Sequence, residues 1–198
     1  MALDKVAYTL CTIQLLQNIC SSLFAPFYPF EAADRNIRLL LVGIMMGTYA
    51  TAFIFAAYLT GGFLKKIGRT CALRIGFLSL MGFLVIMGSV KYIEDTLLFI
   101  VLSFVGMTFG GLGTGLNSTT ILAVLTSRFP EERESVMGMI EGATGIGFLL
   151  GPLIGSSLYS LGGYPAPFLT LFGLNLLLLP FLWSVSTTVE NSIEGTAG

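Results

Sequence analysis

The distribution of apolar residues along the chain predicts six long hydrophobic helices. Each of six stretches is mainly apolar and has about 20 residues or more, the length that a helix needs to cross the hydrocarbon core of a bilayer. The breaks between them are short and hold charged residues, Gly or Pro, so consecutive helices must be antiparallel neighbours. The predicted spans are Tyr8–Phe27, Leu39–Leu64, Ala72–Val90, Thr96–Leu125, Val136–Leu158 and Phe168–Val185.

Composition supports a location in the membrane. Apolar residues make up 55% of the 198 residues and charged residues only 11%, which is about half the charge of a typical soluble domain. We therefore expect an all-α integral membrane protein. The chain has no His, so the commonest metal ligand is missing, and we predict neither a metal site nor a cofactor. A net charge of −1 argues against nucleic acid as a partner.

The patterns typical of enzymes do not occur in this sequence. We find no Ser-His-Asp set, no paired carboxylates and no Walker lysine, and therefore predict that the chain is not an enzyme. The glycine-rich run from Gly110 to Gly115 follows no strand and precedes no Gly-Lys-Ser/Thr, which favours close helix packing over a phosphate-binding loop. The three cysteines, Cys11, Cys20 and Cys71, lack CxxC spacing, and we interpret them as small buried or lipid-facing residues.

The distribution of Lys and Arg predicts the orientation of the spans. Seven basic residues on one side against three on the other place both termini in the cytoplasm. We expect residues 1–186 to form the six-helix domain and residues 187–198 to form a short, loose cytoplasmic tail. Arg35 and Arg38 are expected to reach from the opposite interface toward water. The cytoplasmic set is Lys5, Lys65, Lys66, Arg69, Arg74, Arg128 and Arg133, and the opposite set is Arg35, Arg38 and Lys91.

Small residues recur in the fifth span, at Gly138, Gly147, Gly151 and Gly155, with Pro152 after the third glycine. Glycines let neighbouring helices approach closely, and Gly-Pro weakens the helix at a point where it could bend. The spacing resembles, almost position for position, the fifth-helix antiporter motif of the major facilitator superfamily. The resemblance implies that these five residues belong to a motif involved in conformational change.

Two other segments resemble the same superfamily. Gly61, Gly68 and Arg69 match its signature between the second and third helices, and the basic-acidic turn from Phe129 to Gly138 matches its loop before the fifth helix. Together these resemblances imply the N-terminal six-helix half of a twelve-helix transporter. The family builds such a half from two inverted three-helix repeats, although no residue-level repeat is evident here.

Two segments are similar to the vesicular amine and polyamine transporter branch, namely Pro26–Ala32 and Gly138–Glu141. This similarity implies a proton-coupled antiporter of organic cations in an intracellular vesicle or vacuole membrane. The partners that it implies are the lipid bilayer, a small organic cation and protons. A second six-helix half is also expected, either as a homodimer or as a separate chain, unless the chain belongs to a larger membrane complex.

Two positions depart from the family pattern. Lys65 stands where the second-loop signature carries Asp, and Met107 stands where the fourth-helix signature carries Arg. In the family, that Asp helps to hold the two halves together in one conformation, and that Arg has a role in proton coupling. Neither role is therefore implied here. Two alternatives to an active transporter stay open, a non-transporting structural membrane subunit and a truncated fragment of a transporter.

Glu141 is the only acidic residue predicted inside a span, about one turn from the cytoplasmic end of the fifth. An ionised side chain at mid-membrane costs about 2.5–3.5 kcal/mol on insertion scales unless it is paired or hydrated. We therefore expect Glu141 to face the bundle interior and to bind a cationic amine or a proton. The alternative is a structural ion pair with a neighbouring arginine.

Polar amides form two patches in the first and fourth spans. Gln14, Gln17 and Asn18 share one face of the first helix because they are three and four residues apart. Asn117 heads a similar patch in the fourth helix, and in the superfamily both helices line the central cavity. The predicted substrate- and proton-binding set is therefore these four amides with Glu141. Hydrogen bonding between helices is the alternative role of the amides.

Overall fold

The computed structural model describes residues 5–194, and the side chains of Lys5, Lys65 and residues 181–194 fall outside that description. Within the described residues the fold is all-helical, with a single 3₁₀ turn at Val90–Tyr92. The helices are α1 (Lys5–Ser22), α2 (Tyr28–Asp34), α3 (Leu39–Ile67), α4 (Arg69–Ser89), α5 (Thr96–Arg128), α6 (Arg133–Gly162) and α7 (Pro165–Glu194).

Four segments of the described chain are long and apolar enough to cross a membrane. α7 contributes a shorter apolar stretch, Pro165–Pro180, and α1 has 18 residues. The predicted all-α membrane fold is confirmed, while the number of crossings remains a prediction. The four segments are Leu39–Leu64, Arg69–Tyr92, Thr96–Arg128 and Arg133–Gly162.

The first helix ends earlier than the sequence predicts. α1 stops at Ser22, whereas the predicted span continues to Phe27, and the predicted break after it contains the short helix α2. Pro26 explains the early end, because the residue before a proline is disfavoured in helical conformation. Pro29 lies in the first turn of α2, where a missing N–H breaks no helical hydrogen bond.

α5 lies between α3 and α4 and contacts both through glycines. A Cβ atom at Gly111 would lie 2.8 Å from the Ala52 Cβ of α3, and one at Gly113 would lie 2.6 Å from the Gly76 carbonyl oxygen of α4. No side chain fits at either distance without a shift of the neighbouring helix. The glycine-rich run therefore packs helices closely, as predicted from the sequence.

α6 packs on α1 through the glycines of the fifth-span motif. A Cβ atom at Gly147 would lie 2.6 Å from the Asn18 Cβ, and one at Gly151 would lie 2.9 Å from the Ile19 carbonyl oxygen. A Cβ atom at Gly155 would likewise lie too close to the Leu23 carbonyl oxygen. These three glycines follow each other at intervals of four residues, so they form one face of α6 that permits close contact with α1.

The predicted boundary between the six-helix domain and the tail falls inside α7. That helix continues through residue 186 to Glu194, and residues 195–198 lie outside the described chain. The division at residue 186 remains a prediction.

Ion pairs to the buried Glu31 join α2 to the 3₁₀ turn. The Glu31 carboxylate accepts hydrogen bonds from Lys91 Nζ at 2.8 and 3.0 Å, and Arg35 Nη2 lies 3.6 Å from it. Arg35 also donates to the Lys91 carbonyl at 3.1 Å and lies 4.4 Å above the Phe99 ring. The expectation that Arg35 reaches toward water is therefore wrong, because α2 places it one turn from Glu31 and directs it inward. Arg38 is exposed, as expected.

Candidate functional site

A cavity of about 340 Å³ opens between α1, α3, α5 and α6. Its wall combines one carboxylate with amides, hydroxyl groups and aromatic rings. Among the described side chains, Glu141 supplies the one charged group in this lining. The lining residues are Gln14, Asn18, Tyr49, Ala50, Phe53, Thr114, Ser118, Glu141, Thr144 and Phe148.

Glu141 lies in the third turn of α6, where its side chain is exposed at the cavity. The ion pairs among the described residues involve Glu31, Arg35 and Lys91, and none of them includes Glu141. Among the described side chains, the Glu141 carboxylate therefore has no basic group within the 4 Å of an ion pair. The structure brings Glu141 together with two of the predicted amides, Gln14 and Asn18.

Gln14 ties three helices together at the cavity wall. Its Nε2 donates to Ser118 Oγ of α5 at 3.0 Å and to Thr144 Oγ1 of α6 at 3.1 Å. Asn18 Nδ2 donates to the Gln14 carbonyl oxygen at 2.8 Å, one turn back along α1. These bonds hold the polar side of α1 against both neighbouring helices and hold the cavity wall in one arrangement.

Gln17 and Asn117 lie away from the cavity wall and bind each other. The side-chain amide of Asn117 is oriented so that both its nitrogen and its oxygen form hydrogen bonds. In this orientation Nδ2 donates to the Leu73 carbonyl oxygen at 3.0 Å. Its oxygen accepts from the Phe77 N–H at 3.1 Å and from Gln17 Nε2 at 2.7 Å. Asn117 is fully buried and lies directly on Gly76 of α4. The structure thus joins these two amides to α4, and their role in binding remains a prediction.

The predicted binding set did not include Thr114, Thr144 and Phe148, which also line the cavity. Thr144 and Phe148 follow Glu141 by three and seven residues on α6. This spacing places Glu141, Thr144 and Phe148 on one face of the helix. That periodicity could have predicted them. The Thr114 hydroxyl forms a hydrogen bond of 2.7 Å with the Tyr49 hydroxyl. This contact joins α3 to α5, and no pattern in the sequence predicts it.

The residues of the second-loop motif form the turn between α3 and α4. Gly68 has φ of 85°, a left-handed conformation that favours glycine. Arg69 Nη2 donates to Ser127 Oγ at 3.2 Å, which connects this turn to the end of α5. A Cβ atom at Gly61 or Gly138 would have no other atom within 4 Å. The roles of these residues in conformational change remain predictions.

Comparison with known proteins identifies related transporters. The chain is 27% identical over 175 residues to the MFS-type transporter SLC18B1 of Homo sapiens, covering 88% of this chain and 38% of that protein. It is 30% identical over 173 residues to the synaptic vesicular amine transporter of Homo sapiens, covering 85% and 32%. For the vesicular acetylcholine transporter of Mus musculus, the identity is 28% over 157 residues, covering 78% and 27%.

The chain spans 38% or less of the length of these curated relatives. The model of one family, the Major Facilitator Superfamily, matches residues 10–197. This match covers almost the whole chain and confirms the predicted resemblance to the superfamily. The similarity to vesicular transporters confirms the predicted resemblance to the amine-transporter branch. The protein is therefore a membrane protein that belongs to the major facilitator superfamily.

Proposed function

We propose that this chain is one half of a proton-coupled antiporter of organic cations and that it binds a cationic amine in the cavity at Glu141. The proposal includes a location in a vesicle or vacuole membrane with both termini in the cytoplasm. The names of two relatives, which describe vesicular transporters of amines and of acetylcholine, support this class of substrate.

The observation that carries the proposal is a carboxylate with no ion pair, in a cavity whose other lining residues, as far as the structure describes them, are uncharged. Charges interact more strongly in a medium of low dielectric constant than in water, so the carboxylate attracts a cation into this cavity. The rings of Tyr49, Phe53 and Phe148 line the same space, and aromatic faces stabilise a bound ammonium group by cation–π attraction. Gln14 and Asn18 add polar groups at the wall.

Exchange of an amine for a proton follows from the same single acid. A carboxylate that has bound a proton is neutral and loses its attraction for an ammonium group. Glu141 would therefore hold either a proton or a cation, but not both. This competition is the minimum requirement of an antiporter, and it needs no second acidic residue in the half.

The direct test is binding of spermidine to the protein in lipid nanodiscs. Glu141→Gln removes the charge and keeps the shape, so we expect the affinity to fall about ten- to hundredfold, the range for losing a hydrogen bond to a charged group. Glu134→Gln is the matched control, because Glu134 is an exposed acid in the first turn of the same helix and lies outside the cavity lining. We expect that variant to bind spermidine as the unmodified protein does.

Two results would contradict the proposal. Equal affinity in Glu141→Gln and the unmodified protein would remove Glu141 from the mechanism. Failure of the unmodified protein to bind any amine, together with copurification in a fixed ratio with other membrane proteins, would favour the structural subunit instead.

A further inference from the structure

The turn between α3 and α4 has an excess of positive charge. Four basic residues fall within ten positions of the chain, and residues 35–93, which include this turn, contain no acidic residue. Lys65, the first of the four, stands where the family signature carries an acid, which would cancel one of these charges. The four residues are Lys65, Lys66, Arg69 and Arg74.

The basic residues of this turn lie at the depth of the lipid headgroups. The apolar span of α3 ends at Leu64, and Lys66 and Arg69 follow it by two and five residues. With the rise of an α-helix, Lys66 is about 3 Å beyond the end of the span. The phosphates of a bilayer lie just outside its hydrocarbon core, so a cation at this position reaches them without leaving the membrane surface.

Exposed apolar side chains adjoin Lys66. Phe63, Lys66 and Ile67 are three and four residues apart, so they share one face of α3, and all three are exposed. The Lys66 Nζ lies 5.6 Å from the centre of the Phe63 ring. This face thus combines apolar side chains with a cation, as the acyl chain and the phosphate of a phospholipid require.

Neither Lys66 nor Arg69 forms an ion pair with a described residue. Arg69 Nη2 donates to Ser127 Oγ at 3.2 Å, and this neutral partner orients the guanidinium group without cancelling its charge. The other N–H groups of a guanidinium can then bind the oxygens of a phosphate. Both side chains therefore keep a positive charge that an anionic headgroup can compensate.

Acidic residues of the neighbouring turn, between α5 and α6, do not reverse the positive charge at this end. Glu131, Glu132 and Glu134 are exposed there, but Arg128 and Arg133 offset two of their charges. Residues 65–74 and 128–134 together carry six basic residues against three acidic ones. A net positive charge at the membrane surface attracts anionic headgroups.

We propose that this surface binds an anionic phospholipid, whose phosphate contacts Lys66 and Arg69 and whose acyl chain lies along Phe63. In the orientation proposed above, this end of the molecule faces the cytoplasmic leaflet, where anionic lipids are concentrated. An acidic protein partner would need only the cations, whereas a lipid uses both the cations and the apolar side chains beside them. None of these residues lines the cavity at Glu141, so binding at this surface is separate from the proposed function.

Native mass spectrometry in detergent micelles measures the affinity directly. The purified chain is titrated with palmitoyl-oleoyl phosphatidylserine and, separately, with the corresponding phosphatidylcholine, and we expect phosphatidylserine to bind more tightly. Lys66→Gln should weaken binding of phosphatidylserine about fivefold, the effect of one basic residue near an anionic headgroup. Arg38→Gln is the matched control, because Arg38 is an exposed basic residue next to the other end of α3. We expect that variant to bind phosphatidylserine as the unmodified chain does.

Charge reversal at Lys66 provides a second measurement. Lys66→Glu should weaken binding of phosphatidylserine about thirtyfold, because it removes a positive charge and adds a negative one. Because Lys66 is exposed, we expect both variants to keep the circular dichroism spectrum of the unmodified chain. Equal affinity for the two lipids, or equal weakening by Lys66→Gln and Arg38→Gln, would overturn the inference. Since these titrations contain no amine, a chain that binds phosphatidylserine but no spermidine contradicts only the proposed function.

Discussion

Two glutamates of this protein occupy contrasting environments. Glu31 is only 3% exposed, and Lys91 and Arg35 surround its carboxylate. Glu141 is exposed at a cavity and takes part in no ion pair among the described residues. A buried charge is tolerated only with partners. The contrast indicates that Glu31 serves the fold, whereas Glu141 is left available for a ligand.

The contrast arises from the elements that hold the two residues. α2 is a short helix joined to the 3₁₀ turn by side-chain contacts, and it places Glu31 beside two cations. Glu141 lies on an edge helix, on the face that it shares with Thr144 and Phe148. Closed packing thus characterises the α2 end of the bundle, and an open surface characterises the cavity side.

The largest expected effect on stability concerns Glu31. Glu31→Gln removes the charge that pairs with Lys91 and Arg35, and we expect the free energy of unfolding to fall by about 3 kcal/mol, the lower end of the range for breaking a buried pair, because Lys91 keeps contact with water. Unfolding in mixed dodecyl maltoside and SDS micelles measures it. Glu94→Gln, an exposed acid at the same end, is the control. Equal losses in both variants would remove the distinction between a paired and an exposed acid.

The next effect concerns glycines in closed and open environments. Gly111→Ala places a methyl group against the Tyr49 carbonyl and the Ala52 side chain, and we expect a loss of about 2 kcal/mol from overpacking. Gly173→Ala in α7 meets no atom within 4 Å, so it should instead gain up to about 1 kcal/mol from helix propensity. Thermal unfolding followed by circular dichroism compares the two. If both variants are equally stable, α5 is packed less closely than described here.

The smallest effect has the opposite sign to that at Glu31. Glu141→Gln removes an unpaired charge from a membrane helix, and we expect the protein to become more stable by about 1 kcal/mol, since residues kept for binding often reduce stability. The same micelle unfolding assay measures this change. A loss of stability like that of Glu31→Gln would show that Glu141 has a structural partner, and the two acids would then have the same role.

Much of this architecture could be predicted from particular residues. The spacing of Gly147, Gly151 and Gly155 predicted a helix face for close contact, and α1 occupies that face. The apolar spans predicted the long helices, and Glu141 was expected at an interior cavity. The short helix α2 was missed because its seven residues carry charges and a proline that read locally as a loop. The inward orientation of the Arg35 side chain, toward Glu31 and the Lys91 carbonyl, was not predicted for the same reason.

The sequence by itself determined the helical membrane fold and the family, because apolar run length and motif spacing are local properties of a chain. It could not determine which of the four amides line the cavity. Gln14, Gln17 and Asn18 share one helix face, but that face is broad enough to meet more than one neighbouring helix. Only the positions of α4, α5 and α6 around α1 direct Gln14 and Asn18 to the cavity and Gln17 to Asn117.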